Sequence, residues 1–71
     1  MKLFRVQAAV CIVRDGWALT VQVPTFYLDG DQHGLKGEEE ARQFAERMVR
    51  GLAEAVDREA VAGVTVSVVE V

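Results

Sequence analysis

The chain has 71 residues, and its eleven acidic and eight basic side chains give a net charge of −3. That length predicts a single domain, residues 1–71, with a core so small that a dimer or another protein partner is favoured. A hydrophobic content of 51% argues against disorder, and the scattered bases disfavour nucleic acid and anionic membrane surfaces as partners.

A β-hairpin opens the chain, because Asp15-Gly16 is typical of a two-residue type I′ turn and both flanks alternate between apolar and polar residues. The pattern predicts strands over residues 3–14 and 17–28. The start of the first strand superficially resembles a signal peptide, yet its alternation fits a strand better. Counting from the turn predicts the opposed pairs Arg14/Trp17, Ile12/Leu19, Val10/Val21, Ala8/Val23, Val6/Thr25 and Phe4/Tyr27.

Pro24 lies in the second strand and indicates where that strand sits in the sheet. Counting from the turn places it opposite Gln7, in a pair that does not exchange ladder hydrogen bonds. Proline has no N–H and is confined to edges and bulges, so the second strand is predicted to be an edge strand.

The remaining chain predicts a loop, a helix and a strand. Residues 29–37 include three glycines and predict a loop, whereas residues 38–58 have the apolar spacing of an amphipathic helix. The predicted inner face of this helix is Ala41, Phe44, Ala45, Met48, Val49, Leu52, Ala55 and Val56. The opposite face has a stripe of alternating charge, Glu38, Arg42, Glu46, Arg50, Glu54 and Arg58, which is typical of a solvated surface.

Residues 63–71 alternate again and predict a third strand, with Val64, Val66 and Val68 on one face. A right-handed crossover and the edge position of the second strand favour the spatial order 2-1-3. The sequence therefore predicts an α+β fold, ββαβ, in which one helix covers one face of a three-stranded antiparallel sheet.

The sheet face without the helix is the candidate interface of this predicted fold. It is a mixed, partly apolar surface, of the kind that pairs with a second copy or another protein. The residues predicted to form it are Arg5, Gln7, Ala9, Cys11, Thr20, Gln22 and Phe26. An exposed strand edge is the alternative contact.

Residues 29–40 match part of a calcium-loop pattern, with candidate ligands Asp29, Asp31 and Glu40. His33 occupies a position where Asp or Asn usually coordinates, so turn-forming residues before an acidic helix explain the match more simply. No nucleophile with a neighbouring base, zinc ligand set or phosphate loop is visible, so we predict a non-enzymatic protein without a cofactor. The single Cys11 and the lack of an apolar span favour the cytoplasm.

Two resemblances accompany this interpretation. The segments 25–29, 32–35, 39–41 and 44–45 resemble small uncharacterised proteins of actinobacteria and their bacteriophages, a family that implies no known activity. More loosely, Asp15-Gly16-Trp17, Val23-Pro24 and Glu39-Glu40-Ala41 are similar to the antitoxin domain of HicB-like proteins. The second resemblance implies a domain that occludes a small toxin, as the alternative to a homodimeric interaction module.

Overall fold

A computed structural model describes residues 1–71 and contains three strands and two helices. The elements are β1 (Leu3–Arg14), β2 (Trp17–Asp29), α1 (Gly30–His33), α2 (Glu38–Asp57) and β3 (Val61–Glu70). The strands form one antiparallel sheet in the order β2-β1-β3, and α2 packs on one face of it. The predicted α+β fold, ββαβ with the spatial order 2-1-3, is confirmed.

The turn between β1 and β2 has the predicted geometry. Asp15 and Gly16 both have positive φ, 51° and 84°, as a type I′ turn requires. The register that follows from this turn is confirmed for the four predicted pairs from Arg14–Trp17 to Ala8–Val23.

A β-bulge interrupts this register at Pro24. Val23 pairs with Ala8, but Val6 pairs with Phe26, so Pro24 and Thr25 together oppose the single residue Gln7. Proline cannot donate a ladder hydrogen bond, and a bulge accommodates that defect at the edge of a sheet.

The bulge makes the last two predicted pairs wrong. Val6 was predicted to face Thr25 and Phe4 to face Tyr27; the partners are Phe26 and Leu28. The extra residue reverses the side to which every later side chain points. Leu28 is therefore buried, whereas Tyr27 is exposed beside Arg5 on the helix-free face.

Part of the predicted loop over residues 29–37 is a single helical turn, α1. The Asp29 carboxylate accepts hydrogen bonds from the backbone N–H groups of Asp31 and Gln32, at 3.0 and 3.1 Å, and so caps the turn. Gly34 ends it in the left-handed conformation, with φ of 68°. Four residues are too few for periodicity to reveal a helix.

The core lies between α2 and the sheet and is concentrated at the end where Phe4 is buried. One buried cluster comprises Phe4, Val6, Leu28, Leu35, Ala41 and Ala45. A smaller one comprises Ala8, Val10 and Val49. The molecule measures 45 × 17 × 16 Å, and its radius of gyration of 13.1 Å exceeds the roughly 11 Å of a compact chain of this length.

Gly51 in the middle of α2 provides a test of the helix assignment. A Cβ atom built at Gly51 meets no atom within 4 Å, so the Gly51→Ala variant gains helix propensity without a clash. We expect its free energy of unfolding to rise by about 1 kcal/mol, measured by urea titration at high dilution. The control is Gly34→Ala, which also has space but requires a positive φ and is expected to lose stability. A destabilised Gly51→Ala would contradict the assignment.

Candidate protein interface

The helix α2 lies to one side of the sheet rather than over its centre. It packs mainly on β3 and less on β1. At its start the Glu38 carboxylate accepts a hydrogen bond of 2.9 Å from the backbone N–H of Glu70 in β3. At its end Asp57 forms an ion pair with Arg14 of β1. These contacts leave the helix-bearing face of β2 largely uncovered.

The uncovered space is an apolar groove between α2 and β2, which we call the α2–β2 groove. It consists of two adjoining cavities of about 420 and 400 Å³. Seven residues line the first, and all are hydrophobic: Val10, Val23, Phe26, Met48, Val49, Leu52 and Ala53. The second extends it towards the hairpin turn, past Val21 and Val56. Side chains of β1 and β2 form the floor of the groove, and side chains of α2 form its wall.

Large apolar side chains beside the groove are open to solvent. In the wall Leu52 is 66% exposed and Val56 is 88% exposed; beside the floor Trp17 is 59% exposed and Leu19 is 49% exposed. The prediction that Leu52 and Val56 belong to the core is therefore wrong. Their spacing is helical, but the apolar arc of α2 is wider than the strip of sheet beneath it.

Charge is absent from the part of the groove floor that β2 forms. No residue of β2 from Trp17 to Leu28 is charged. Arg42 of α2 pairs with Glu39 at 2.7 Å and with Glu46 at 2.8 Å outside the groove lining, whereas Asp57 and its partner Arg14 line the second cavity at the hairpin end. The hydrogen bond and the charge of Arg42 lower the pKa of Glu39, and the same pair raises the pKa of Arg42. The groove is thus mainly apolar, with one ion pair at its hairpin end.

The predicted interface on the helix-free face is only partly assembled as expected. The register of the sheet places six of the seven predicted residues on the helix-free face: Arg5, Gln7, Ala9, Cys11, Thr20 and Gln22. Phe26 is not among them, because the bulge at Pro24 turns it towards the helix, where it packs against the core and lines the groove. Tyr27 takes the place beside Arg5. The use of this face as an interface stays a prediction.

The three candidate calcium ligands are engaged separately with backbone groups. Asp29 caps α1. The Asp31 carboxylate accepts a hydrogen bond of 3.2 Å from the backbone N–H of Lys2, and Glu40 accepts one of 3.4 Å from Lys36. No group of three or more His, Cys, Asp or Glu side chains is arranged to hold a metal ion. His33 packs against the Phe44 ring, with 4.7 Å between ring centroids.

Comparison with known proteins adds no relative from which a role can be transferred. No protein-family model, curated protein or solved structure matches this chain. Neither helix is both long and apolar enough to cross a membrane. The α2–β2 groove and the strand beside it are therefore the features of the chain that bear on its function.

Proposed function

We propose that this protein is a non-enzymatic interaction module that forms a homodimer through the α2–β2 groove. The main support is an apolar groove whose border is a long edge strand, and this strand has no charged side chain before Asp29. Soluble proteins usually protect such edges with charges, prolines or bulges. Here β2 has one such device, the Pro24 bulge, and it leaves residues 17–23 unprotected.

The size of the exposed surface fits a partner protein. Five large apolar residues beside the groove, Trp17, Leu19, Val21, Leu52 and Val56, are between 40% and 88% exposed, and each partner in a standard interface buries about 800 Å². The exposed backbone edge of β2 adds to the exposed surface. Only 11 of the 71 residues are buried, so covering the groove would add substantially to a small core.

A second copy of the chain suits this surface better than a charged partner does. The first cavity is lined only by hydrophobic residues, and seven of the nine that line the second are hydrophobic, so a two-fold contact places mainly apolar surface against apolar surface. Each copy has a net charge of −3, but the one acidic side chain in the groove lining, Asp57, is paired with Arg14, which limits repulsion between the copies. The first cavity also has no titratable side chain in its lining, which supports a role in binding rather than in proton transfer or nucleophilic attack.

A pair of lysine substitutions tests the groove against the opposite face. Leu19 and Val13 lie on neighbouring strands and are almost equally exposed, 49% and 47%, but they point to opposite faces of the sheet. We expect Leu19→Lys to shift the association equilibrium at least tenfold towards the monomer, because it places a charge in the interface. Val13→Lys is expected to leave association unchanged. Sedimentation equilibrium measures both, and circular dichroism verifies that each variant is folded.

The alternative results are equally informative. If Val13→Lys dissociates the dimer and Leu19→Lys does not, the helix-free face is the interface and the groove proposal is wrong. If both folded variants associate as strongly as the unmodified chain, neither face is used. A monomeric unmodified chain at all concentrations would remove the homodimer altogether.

A further inference from the structure

We infer that two copies of the chain join their β2 edges into one continuous antiparallel sheet, with the two-fold axis passing beside Thr20. This inference rests on the proposed homodimer and adds the strand edge and its register to it. The β2 edge is the free edge that borders the groove, whereas β3 lies at the other edge, beside the flank of α2 that contains Glu38.

The hairpin determines which backbone groups of β2 point outwards. In a two-residue hairpin the closing pair, Arg14 and Trp17, exchanges hydrogen bonds, and such pairs then alternate along the ladder. Residues 17, 19, 21 and 23 therefore direct their N–H and C=O groups to β1. Ala18, Thr20 and Gln22 direct theirs to the open edge.

The stretch of β2 with outward-directed backbone groups has a limit at each end. Gly16 belongs to the turn, and Pro24 has no N–H and lies in the bulge. Pairing centred on Thr20 places Ala18 opposite the second copy's Gln22 and Thr20 opposite its own equivalent. All three outward residues are then used in both copies, which gives about six ladder hydrogen bonds.

The neighbouring symmetric registers are worse. If the two-fold axis lies beside Leu19, one residue nearer the turn, Gln22 pairs with the second copy's Gly16. If the axis lies beside Val21, Ala18 pairs with the second copy's Pro24. Each choice loses part of the ladder, because a turn residue or a proline replaces a strand donor. The turn and the proline therefore select the register centred on Thr20.

The same register is favourable on the helix-bearing face. There Leu19 lies opposite the second copy's Val21, and Trp17 lies opposite its Val23, so every cross-strand pair is apolar. The two grooves then meet along this strand pair, where large apolar side chains of both copies contact one another. No residue of β2 from Trp17 to Leu28 brings a charged side chain into this contact.

Cysteine cross-linking tests the register directly. Cys11 pairs with Thr20 across the hairpin, so every variant also contains Cys11→Ser to prevent an internal disulfide. In the proposed register the two Thr20 Cα atoms are about 5.5 Å apart, within the range that a disulfide spans. Thr20→Cys is therefore expected to form a covalent dimer in air, seen on a non-reducing gel.

Ala18→Cys is the matched control, since it lies on the same strand, face and edge. Its equivalent in the second copy is about 13 Å away in this register, so it is expected to stay unlinked. Gln22→Cys alone is also expected to stay unlinked, whereas an equimolar mixture of Ala18→Cys and Gln22→Cys chains is expected to form the mixed disulfide.

Light scattering on the Cys11→Ser parent separates failure of the register from failure of the dimer. A dimeric parent whose Thr20→Cys variant stays unlinked, or whose Ala18→Cys variant links as readily, would overturn the register and leave the homodimer standing. A monomeric parent would overturn both.

Discussion

Replacing Phe4 by alanine is expected to lower the free energy of unfolding by about 3–5 kcal/mol. Phe4 is fully buried and is one of the two largest side chains with no exposed surface; the other is Val6. It lies in the cluster that joins the sheet to α2 and to Leu35, so its removal leaves a cavity between three parts of the chain. Urea unfolding followed by circular dichroism measures the loss.

A loss of that size is comparable with the whole stability of the domain, which for 71 residues is on the order of 4–10 kcal/mol. Phe4→Ala is therefore expected to be largely unfolded, or close to it, at room temperature. Phe44→Ala is the control, because Phe44 is only partly buried and packs at the edge of the same cluster. A Phe4→Ala variant as stable as Phe44→Ala would contradict this description of the core.

Replacing Gly30 by alanine is expected to cost about 1–3 kcal/mol, because it forces an extra atom into the same cluster. A Cβ atom at Gly30 would lie 2.6 Å from Cε2 of Phe4, 3.0 Å from Cβ of Lys2 and 3.2 Å from the carbonyl oxygen of Leu35. The Gly30 backbone cannot easily move away. Its N–H donates to Lys2 and its carbonyl accepts from Leu35, both at 2.8 Å.

Gly37→Ala is the matched control for this substitution. Gly37 lies seven residues further on, has extended backbone with φ of −160°, and has no atom within 4 Å of a built Cβ. Gly37 is also the N-cap of α2, where alanine is less favourable than glycine, so its replacement is expected to lower the unfolding free energy by less than about 1 kcal/mol. Equal losses for the two variants, measured by urea unfolding, would show that the close packing around Gly30 is absent.

The sequence predicted most of the fold because the Asp15-Gly16 turn fixes a register and period-two alternation propagates it. The predicted register is wrong beyond Pro24, where a bulge shifts the alternation by one residue. Pro24 was correctly expected at an edge, but a bulge was not distinguished from an unbroken edge strand, since both accommodate a proline. Because the bulge adds one residue to β2, Phe26 and Tyr27 lie on the sheet faces opposite to those predicted.

The candidate site was less accessible to sequence analysis. Periodicity identifies which side chains of a helix are apolar, but it does not reveal how much of the helix the sheet covers. Leu52 and Val56 therefore resembled core residues, and only the position of α2 over β3 and β1 shows that they border an open groove. The absence of charge from Trp17 to Leu28 was a signal available in the sequence.

The solution mass of the unmodified chain is the direct test of the homodimer. Multi-angle light scattering across a dilution series is expected to give twice the 7.8 kDa mass of one chain, falling towards that mass only on dilution. Emission from Trp17, the single tryptophan, is expected to shift to longer wavelength in parallel as its exposed ring returns to water. A mass of 7.8 kDa at every concentration up to the millimolar range would contradict the dimer.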